Sequence, residues 1–296
     1  MVGDSLERLM SQWESDDSLL EANQLCRRIE VLDHLDAYFP SADLRSTHSD
    51  QINSKLNRRA RAIYTRLEVA NTELYQSIRL EIQWGIRPAV FVQLLQQSNS
   101  DSPDRANSYD YLDELISGVL QFDEPSAEPV HTGPEIVFYQ PTPARHIFAL
   151  IAAGAISESD VLVDLGSGLG HVPLLVSICT RARSIGVELE PAYVASARRC
   201  AQRLNLSRVT FHEDDARNAD LSGGTVFYLY TPFSGSILRA VMNSLRDQAA
   251  VRPIKICTFG PCTSVIGQEP WLEAMSPGTE TTSTKTDQIT VFLSRT

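Results

Sequence analysis

The sequence is poor in several things, and each shortage excludes a class of protein. Five cysteines, at 26, 179, 200, 257 and 262, are spread over 296 residues. They are odd in number and form no C-x-x-C pair, which argues against a disulfide framework and suits small core residues in a reducing compartment. Cys257 and Cys262 flank Gly260-Pro261 but have no histidine or cysteine partners nearby, so no metal is expected. Long apolar runs are missing too. The longest, Ile147 to Ile156, is about half of what a membrane span needs, and MVGDSLERLM carries no basic-then-apolar signal pattern. The expectation is a cytoplasmic protein without a membrane partner. Positive charge is also scarce, with 26 Lys and Arg against 37 Asp and Glu and a net charge of -11. Such a balance gives no strong nucleic-acid signal, since salt-driven binding to phosphates needs a basic surface.

What remains is ordinary globular composition, 43% hydrophobic and 21% charged, long enough for one large domain or two smaller ones. The chain is organised around Val161-Leu162-Val163-Asp164-Leu165-Gly166-Ser167-Gly168-Leu169-Gly170-His171. Three apolar residues lead into an acid, then a glycine-rich turn, then an amphipathic run from Val172 to Cys179. The pattern predicts a buried strand, a tight turn and a helix whose first N–H groups are unpaired. A dinucleotide loop reads G-x-G-x-x-G and sets a pyrophosphate on that helix start. Here the order is D-x-G-x-G-x-G, and an acid two residues ahead of the glycines favours a cationic ligand over an anionic one. This spacing and Asp164 both speak against a nicotinamide-binding oxidoreductase.

Downstream the pattern alternates. Strands are expected at Val161 to Leu165, Arg183 to Glu188, Arg208 to His212, Thr225 to Tyr230 and Pro253 to Phe259, with a final one over Gln288 to Leu293 and another at Trp271 to Met275. Helices are expected after His171, from Pro191 to Leu204 and from Gly235 to about Gln248. Alternation of this kind implies an α/β fold with a mostly parallel sheet and helices on both faces, which binds ligands at the carboxyl ends of its strands. Acids stand at three successive strand ends. Asp164 closes the first, Glu188 the second, where a carboxylate can accept two hydroxyls, and Glu213-Asp214-Asp215-Ala216 follows the third.

This constellation resembles motif I and the acids that follow it in the class I S-adenosylmethionine-dependent methyltransferases. The resemblance implies a Rossmann-like sheet with an antiparallel last strand, S-adenosylmethionine as cofactor, and methyl transfer to an unidentified protein or small-molecule acceptor. It implies that Asp164, Gly166, Ser167, Gly168 and Gly170 underlie the amino-acid end of the cofactor. Glu188 would hold its ribose and Asp215 its adenine amino group. His171 either touches the cofactor carboxylate or caps the turn. Asp-Leu-Gly-Ser-Gly followed by an acid after Gly-Val also resembles the DOT1-type histone lysine methyltransferases, over about residues 135 to 260. The fourth strand departs from them, with Tyr230-Thr231-Pro232 where they carry paired asparagines before a phenylalanine. The N-P-P-[YF] signature of enzymes acting on adenine or glutamine amides is absent as well. Tyr230 and Thr231 are the candidates to meet the reacting groups, with Phe233 as an apolar wall. His131, His146 and His212 are bases by residue type alone.

The rest of the chain is read from pattern. Residues 1 to 130 are expected to form a helical N-terminal domain serving as a lid, substrate or dimerisation element, and residues 131 to 296 the cofactor-binding domain. One helix is expected from Leu19 to Phe39, stopped by Pro40. Another runs from Gln51 to about Gln83, with Leu56, Ala60, Ile63, Leu67, Ala70 and Leu74 as a narrow seam that suits packing on another helix or a homodimer contact. Lys55, Arg58, Arg59, Arg61 and Arg66 beside it read as a solvated face pairing with carboxylates. Pro88 to Gln97 and Tyr109 to Leu120 suggest shorter helices, with SNSDSPDRANS a polar loop between them. The proline-rich stretch from Gln121 to Pro143 reads as a linker. At its end Tyr139, Gln140 and Thr142 either line the site or simply lead into a helix over Ala144 to Ala155, capped by Thr142 with Pro143 in its first position. A scaffold that keeps this fold without transfer is the alternative to an enzyme.

Overall fold

The computed structural model describes residues 2–39, 55–97, 110–123, 133–275 and 287–295. The polar loop over 98–108, much of the linker and His131 lie outside the described residues. The chain forms two compact units, Met1–Arg79 and Leu80–Thr296.

The first unit contains α1 (Val2–Ser15), α2 (Leu25–Tyr38) and most of α3 (Lys55–Gln83). The Leu19 to Phe39 segment is not one helix. Asp16 accepts bonds from the Ser18 backbone and hydroxyl, a short 3-10 turn follows over Asp17–Leu20, and Glu21 turns extended before a second such turn at Ala22–Gln24. Arg28 holds these turns from α2. It is fully buried, and its guanidinium donates to Asn71 Oδ1 at 2.6 Å and to the Leu19 and Glu21 carbonyls. The first part of the α3 seam, from Leu56 to Leu67, is occupied within its own unit. Ala60, Ile63 and Leu67 pack with Met10, Val31, Leu32 and Leu35. Beside it, Arg59 grips both oxygens of Glu14 at 2.7 Å, and Arg66 donates to the carbonyls of Trp13, Glu14 and Asp16.

The second unit holds α4 (Ala89–Gln97), α5 (Tyr111–Leu120), α6 (Ala144–Ala153), β1 (Val161–Leu165), α7 (His171–Thr180), β2 (Arg183–Glu188) and α8 (Pro191–Arg203). There follow β3 (Val209–Glu213), β4 (Val226–Leu229), α9 (Gly235–Ala249), β5 (Lys255–Thr258), α10 (Cys262–Ile266), β6 (Leu272–Ala274) and β7 (Thr290–Ser294). Among the described residues the sheet has seven strands in the order β3-β2-β1-β4-β5-β7-β6. The first five in that order are parallel, and β7 runs antiparallel to both β5 and β6. This is a Rossmann-like sheet, with the antiparallel last strand that the resemblance implied. Every residue of β1 and β4 is buried, which is why both read as continuous apolar runs rather than alternating ones. α10 has five residues, too few to show a helical period in the sequence.

Chain order reverses between β1 and β4, and a crevice opens there at the strands' carboxyl ends. Register sets Asp164 beside Gly186 of β2 and beside Tyr228 of β4. α4 and α5 lie with this unit. Phe91 stacks edge-on against Phe148 of α6 at 5.8 Å. Asp113 of α5 accepts the Ala144 N–H at 2.7 Å, and Asp110 pairs with Arg145. No helix among the described residues is long and apolar enough to cross a membrane.

Candidate functional site

The site begins where β1 ends. The Gly166 and Ser167 N–H groups both donate to the Val187 carbonyl, at 2.9 and 3.0 Å, and Gly170 N–H donates to Ser167 O. The turn thus hangs from β2 and then starts α7 at His171. Gly168 sits in the left-handed region, with φ of 53°. A side chain there would begin 2.0 Å from the Tyr139 ring, so only glycine lets the incoming segment lie across the turn.

Two carboxylates, Asp164 and Glu188, line the cavity beside it. Asp164 is 4% exposed, and among the described residues no hydrogen bond reaches its side chain. Burial pushes its carboxyl well above the usual range, and the Glu188 charge adds to the shift. Glu188 is anchored instead. Its Oε2 accepts the Gly168 N–H at 2.8 Å, and its Oε1 accepts those of Leu189 and Glu190. Burial outweighs these bonds and raises its carboxyl too. A carboxylate has about four lone-pair sites, so Glu188 retains capacity for a ligand. Asp215 lies at the far side of the cavity, gripped by Arg217. The guanidinium contacts both its oxygens, at 2.6 to 3.0 Å, and holds its carboxyl below the usual range.

The segment before α6 forms a strap over this crevice. Ile136 bridges Phe233, Val137 N–H donates to Pro232 O at 3.2 Å, and Tyr139 stacks on Tyr193 at 4.9 Å. The Tyr139 hydroxyl meets His171 Nδ1 at 3.4 Å. Tyr139, Gln140 and Thr142 all line the cavity. Thr142 is not a helix cap. Pro143 takes the cap position, without a side-chain bond, and Asp113 satisfies the Ala144 N–H. The Thr142 hydroxyl is therefore free to pair with Tyr228 Oη, at 3.1 Å. That bond is buried, so Tyr228→Phe leaves a hydroxyl unpaired. It should cost about 1–3 kcal/mol of unfolding free energy by urea denaturation, and an unchanged midpoint would mean the bond carries nothing.

His171 packs against the Phe122 ring at 4.6 Å, and burial pushes its imidazole down to about 4. It is neutral near pH 7 and serves as a partner for the strap. His212 is exposed on β3, and His146 is buried against Phe259 at 4.2 Å. Neither lines the cavity. At the end of β4 both predicted residues line the cavity, in different bonding environments. The Tyr230 ring stacks on Phe259 at 4.7 Å and lines the cavity, and burial raises its phenol so that it stays protonated. Thr231 also lines the cavity, with its hydroxyl engaged on the protein side. Its Oγ1 donates to Phe259 O at 3.2 Å and accepts the Cys262 N–H at 3.0 Å. These bonds tie the segment that follows β4 to the one that follows β5, and Thr231 itself has a positive φ of 41°.

The resulting cavity has a volume of about 370 Å³, within the range of small-molecule sites. Its charged lining is mostly acidic, with Asp164, Glu188, Glu190, Asp214 and Asp215 against Arg217. Its outer wall is apolar, formed by Phe233, Ile237, Val137 and Phe138, the last 89% exposed. Sequence reasoning missed Tyr228, Tyr193 and Arg217. Tyr228 had a signal, since the residue beside Asp164 across the β1–β4 reversal must face the same crevice. The other two had none.

No protein-family model matches the chain, and no curated protein matches it. It is similar to several solved structures over about half its length. One is an RNA methyltransferase from Salinibacter ruber in complex with S-adenosyl-L-homocysteine, 25% identical, covering 52% of this chain and 92% of that one at a TM-score of 0.40. Another is a precorrin-6y C5,15-methyltransferase from Geobacter metallireducens, 14% identical, covering 56% and 93% at 0.38. A third is TrmN from Thermus thermophilus, 16% identical, covering 51% and 48% at 0.39.

Proposed function

We propose that the protein is an S-adenosylmethionine-dependent methyltransferase acting on a protein or small-molecule acceptor. One observation carries the reading. Asp164 is a buried carboxylate without a described donor, set beside a second carboxylate at the point where strand order reverses. Burying such a group costs free energy unless a cation joins it. The cofactor's ammonium group is suited to Asp164, its ribose hydroxyls to Glu188, and its adenine amino group to Asp215, which shares its oxygens with Arg217. Gly166, Ser167, Gly168 and Gly170 give the close backbone approach, and Tyr139, Gln140 and Thr142 form the cover. When bound, the cofactor supplies an electrophilic methyl group, and the chain's own task is to position the acceptor and exclude water.

Tyr230 is the polar group best placed on the acceptor side, as a neutral phenol that orients rather than deprotonates. With His171 uncharged and engaged, the lining suits an acceptor whose nucleophile loses its proton to solvent. The apolar wall and acidic interior favour an uncharged or cationic acceptor over a polyanion. Titration calorimetry of the full chain should show S-adenosylmethionine binding in the micromolar range, about -8 kcal/mol, and no heat with NAD. A folded protein that ignores S-adenosylmethionine would overturn the reading. The scaffold alternative draws on the occupied Thr231 hydroxyl and requires cofactor binding without conversion to S-adenosylhomocysteine by any acceptor. A homodimer contact through α3 would have to use a surface other than Ala60, Ile63 and Leu67, which their own unit covers.

A further inference from the structure

Helix α9 is capped in an unusual way. Its N-cap residue, Ser234, is of a type whose side chain commonly bonds the first N–H groups of a helix, yet it makes no such bond here. Glu135, from the strap, takes its place. Its carboxylate accepts Ser236 N–H at 2.9 Å, Ser236 Oγ–H at 2.7 Å and Ile237 N–H at 3.3 Å, and its backbone carbonyl accepts Ser234 N–H at 2.9 Å. Room is made for it by Gly235, where a side chain would begin 2.1 Å from Glu135 Oε1. A local serine cap would satisfy the helix equally well. What the Glu135 arrangement adds is an attachment of the strap to the helix, immediately before Ile136 crosses to Phe233 and Val137 to Pro232.

The strap is held at the other end by the Thr142–Tyr228 bond, and between these two anchors lie the residues that cover the cavity. We infer that Glu135 is a positioning residue, a latch that holds the strap across the cavity and thereby sets how fast the cofactor exchanges. The inference rests on the cofactor reading above. Release of the latch frees Val137, Phe138 and Tyr139 to lift together, because Tyr139 touches the glycine turn only while the strap lies flat.

The test uses the full chain with Glu135→Ala and Glu135→Gln. In unliganded protein, hydrogen exchange followed by mass spectrometry should rise in Glu135→Ala across 136–139 as well as at 236–237. The factor should be about fivefold, the order that losing one helix cap carries, with β1 unchanged. Radiolabelled S-adenosylmethionine chased with unlabelled S-adenosylhomocysteine should leave Glu135→Ala faster by a similar factor. Glu135→Gln, whose amide oxygen still accepts from Ser236, should recover part of both effects. Faster exchange confined to 236–237, or an unchanged rate of cofactor release, would reduce Glu135 to a helix cap and overturn the inference. Failure of the wild type to bind the label would instead overturn the cofactor reading and the exchange role with it, whereas exchange in the unliganded strap still decides whether Glu135 holds it.

Discussion

Asp164→Asn should make the free protein more stable and nearly abolish S-adenosylmethionine binding. The first half follows from linkage. The folded-state pKa of Asp164 is raised, so the folded protein pays for ionising it and the unfolded chain does not. Below the unfolded carboxyl pKa, about 3.9, Asp164 is protonated in both states, and wild type and variant should melt alike. As pH rises toward and through the raised folded pKa the wild type loses stability that the neutral amide keeps, so the gap between the two melting curves should widen with pH. The second half follows from the ligand's charge. Removing one partner of a buried ion pair costs about 3–5 kcal/mol, which weakens binding by more than about a hundredfold. Thermal shift with and without S-adenosylmethionine reads both effects, since a ligand stabilises only a protein that binds it. Wild-type affinity in the variant would remove Asp164 from the site. Equal melting curves at all pH values would mean that Asp164 has an interaction that offsets its burial.

Gly168→Ala is expected to have the other large effect, by steric means. The left-handed backbone at 168 costs an L-residue about 1–2 kcal/mol, and the new methyl group would stand 2.0 Å from a Tyr139 ring carbon. The ring must leave, taking with it the contacts to His171 and Tyr193. Cofactor affinity by calorimetry should fall by about tenfold or more. Tyr139→Ala gives the decisive comparison. In that background the clash with the Tyr139 ring is gone, so Gly168→Ala should cost markedly less than it does alone, and the pair should be non-additive in a double-mutant cycle. Strict additivity would show that Tyr139 does not cover the glycine turn in solution.

Asp164 and Gly168 were both legible, because a strand, a tight turn and a helix start are local events written in adjacent residues. Glu188 was legible for the same reason, as the acid that ends the next strand. The hydrogen bonds around them were not. Thr142 read as a cap because serine and threonine usually cap the helix that follows them, but Asp113 reached that N–H first and released Thr142 to Tyr228. Thr231 read as a residue that meets the reacting groups from its place after β4, and its bonds to Phe259 and Cys262 join two loops whose geometry no spacing discloses. The single helix expected over Leu19 to Phe39 failed where Asp16 and buried Arg28 stabilise short turns in its place.

By itself the sequence determined the parallel sheet, the glycine turn and the acids at the strand ends, since each follows from side-chain period and backbone freedom over a few neighbouring residues. The tertiary structure decided what those acids face, that the first part of the α3 seam is covered within its own unit, and that Glu135 rather than Ser234 caps α9. These choices are competitions between donors and acceptors brought together from remote parts of the chain, and the geometry that settles them exists only once the sheet and its strap have folded.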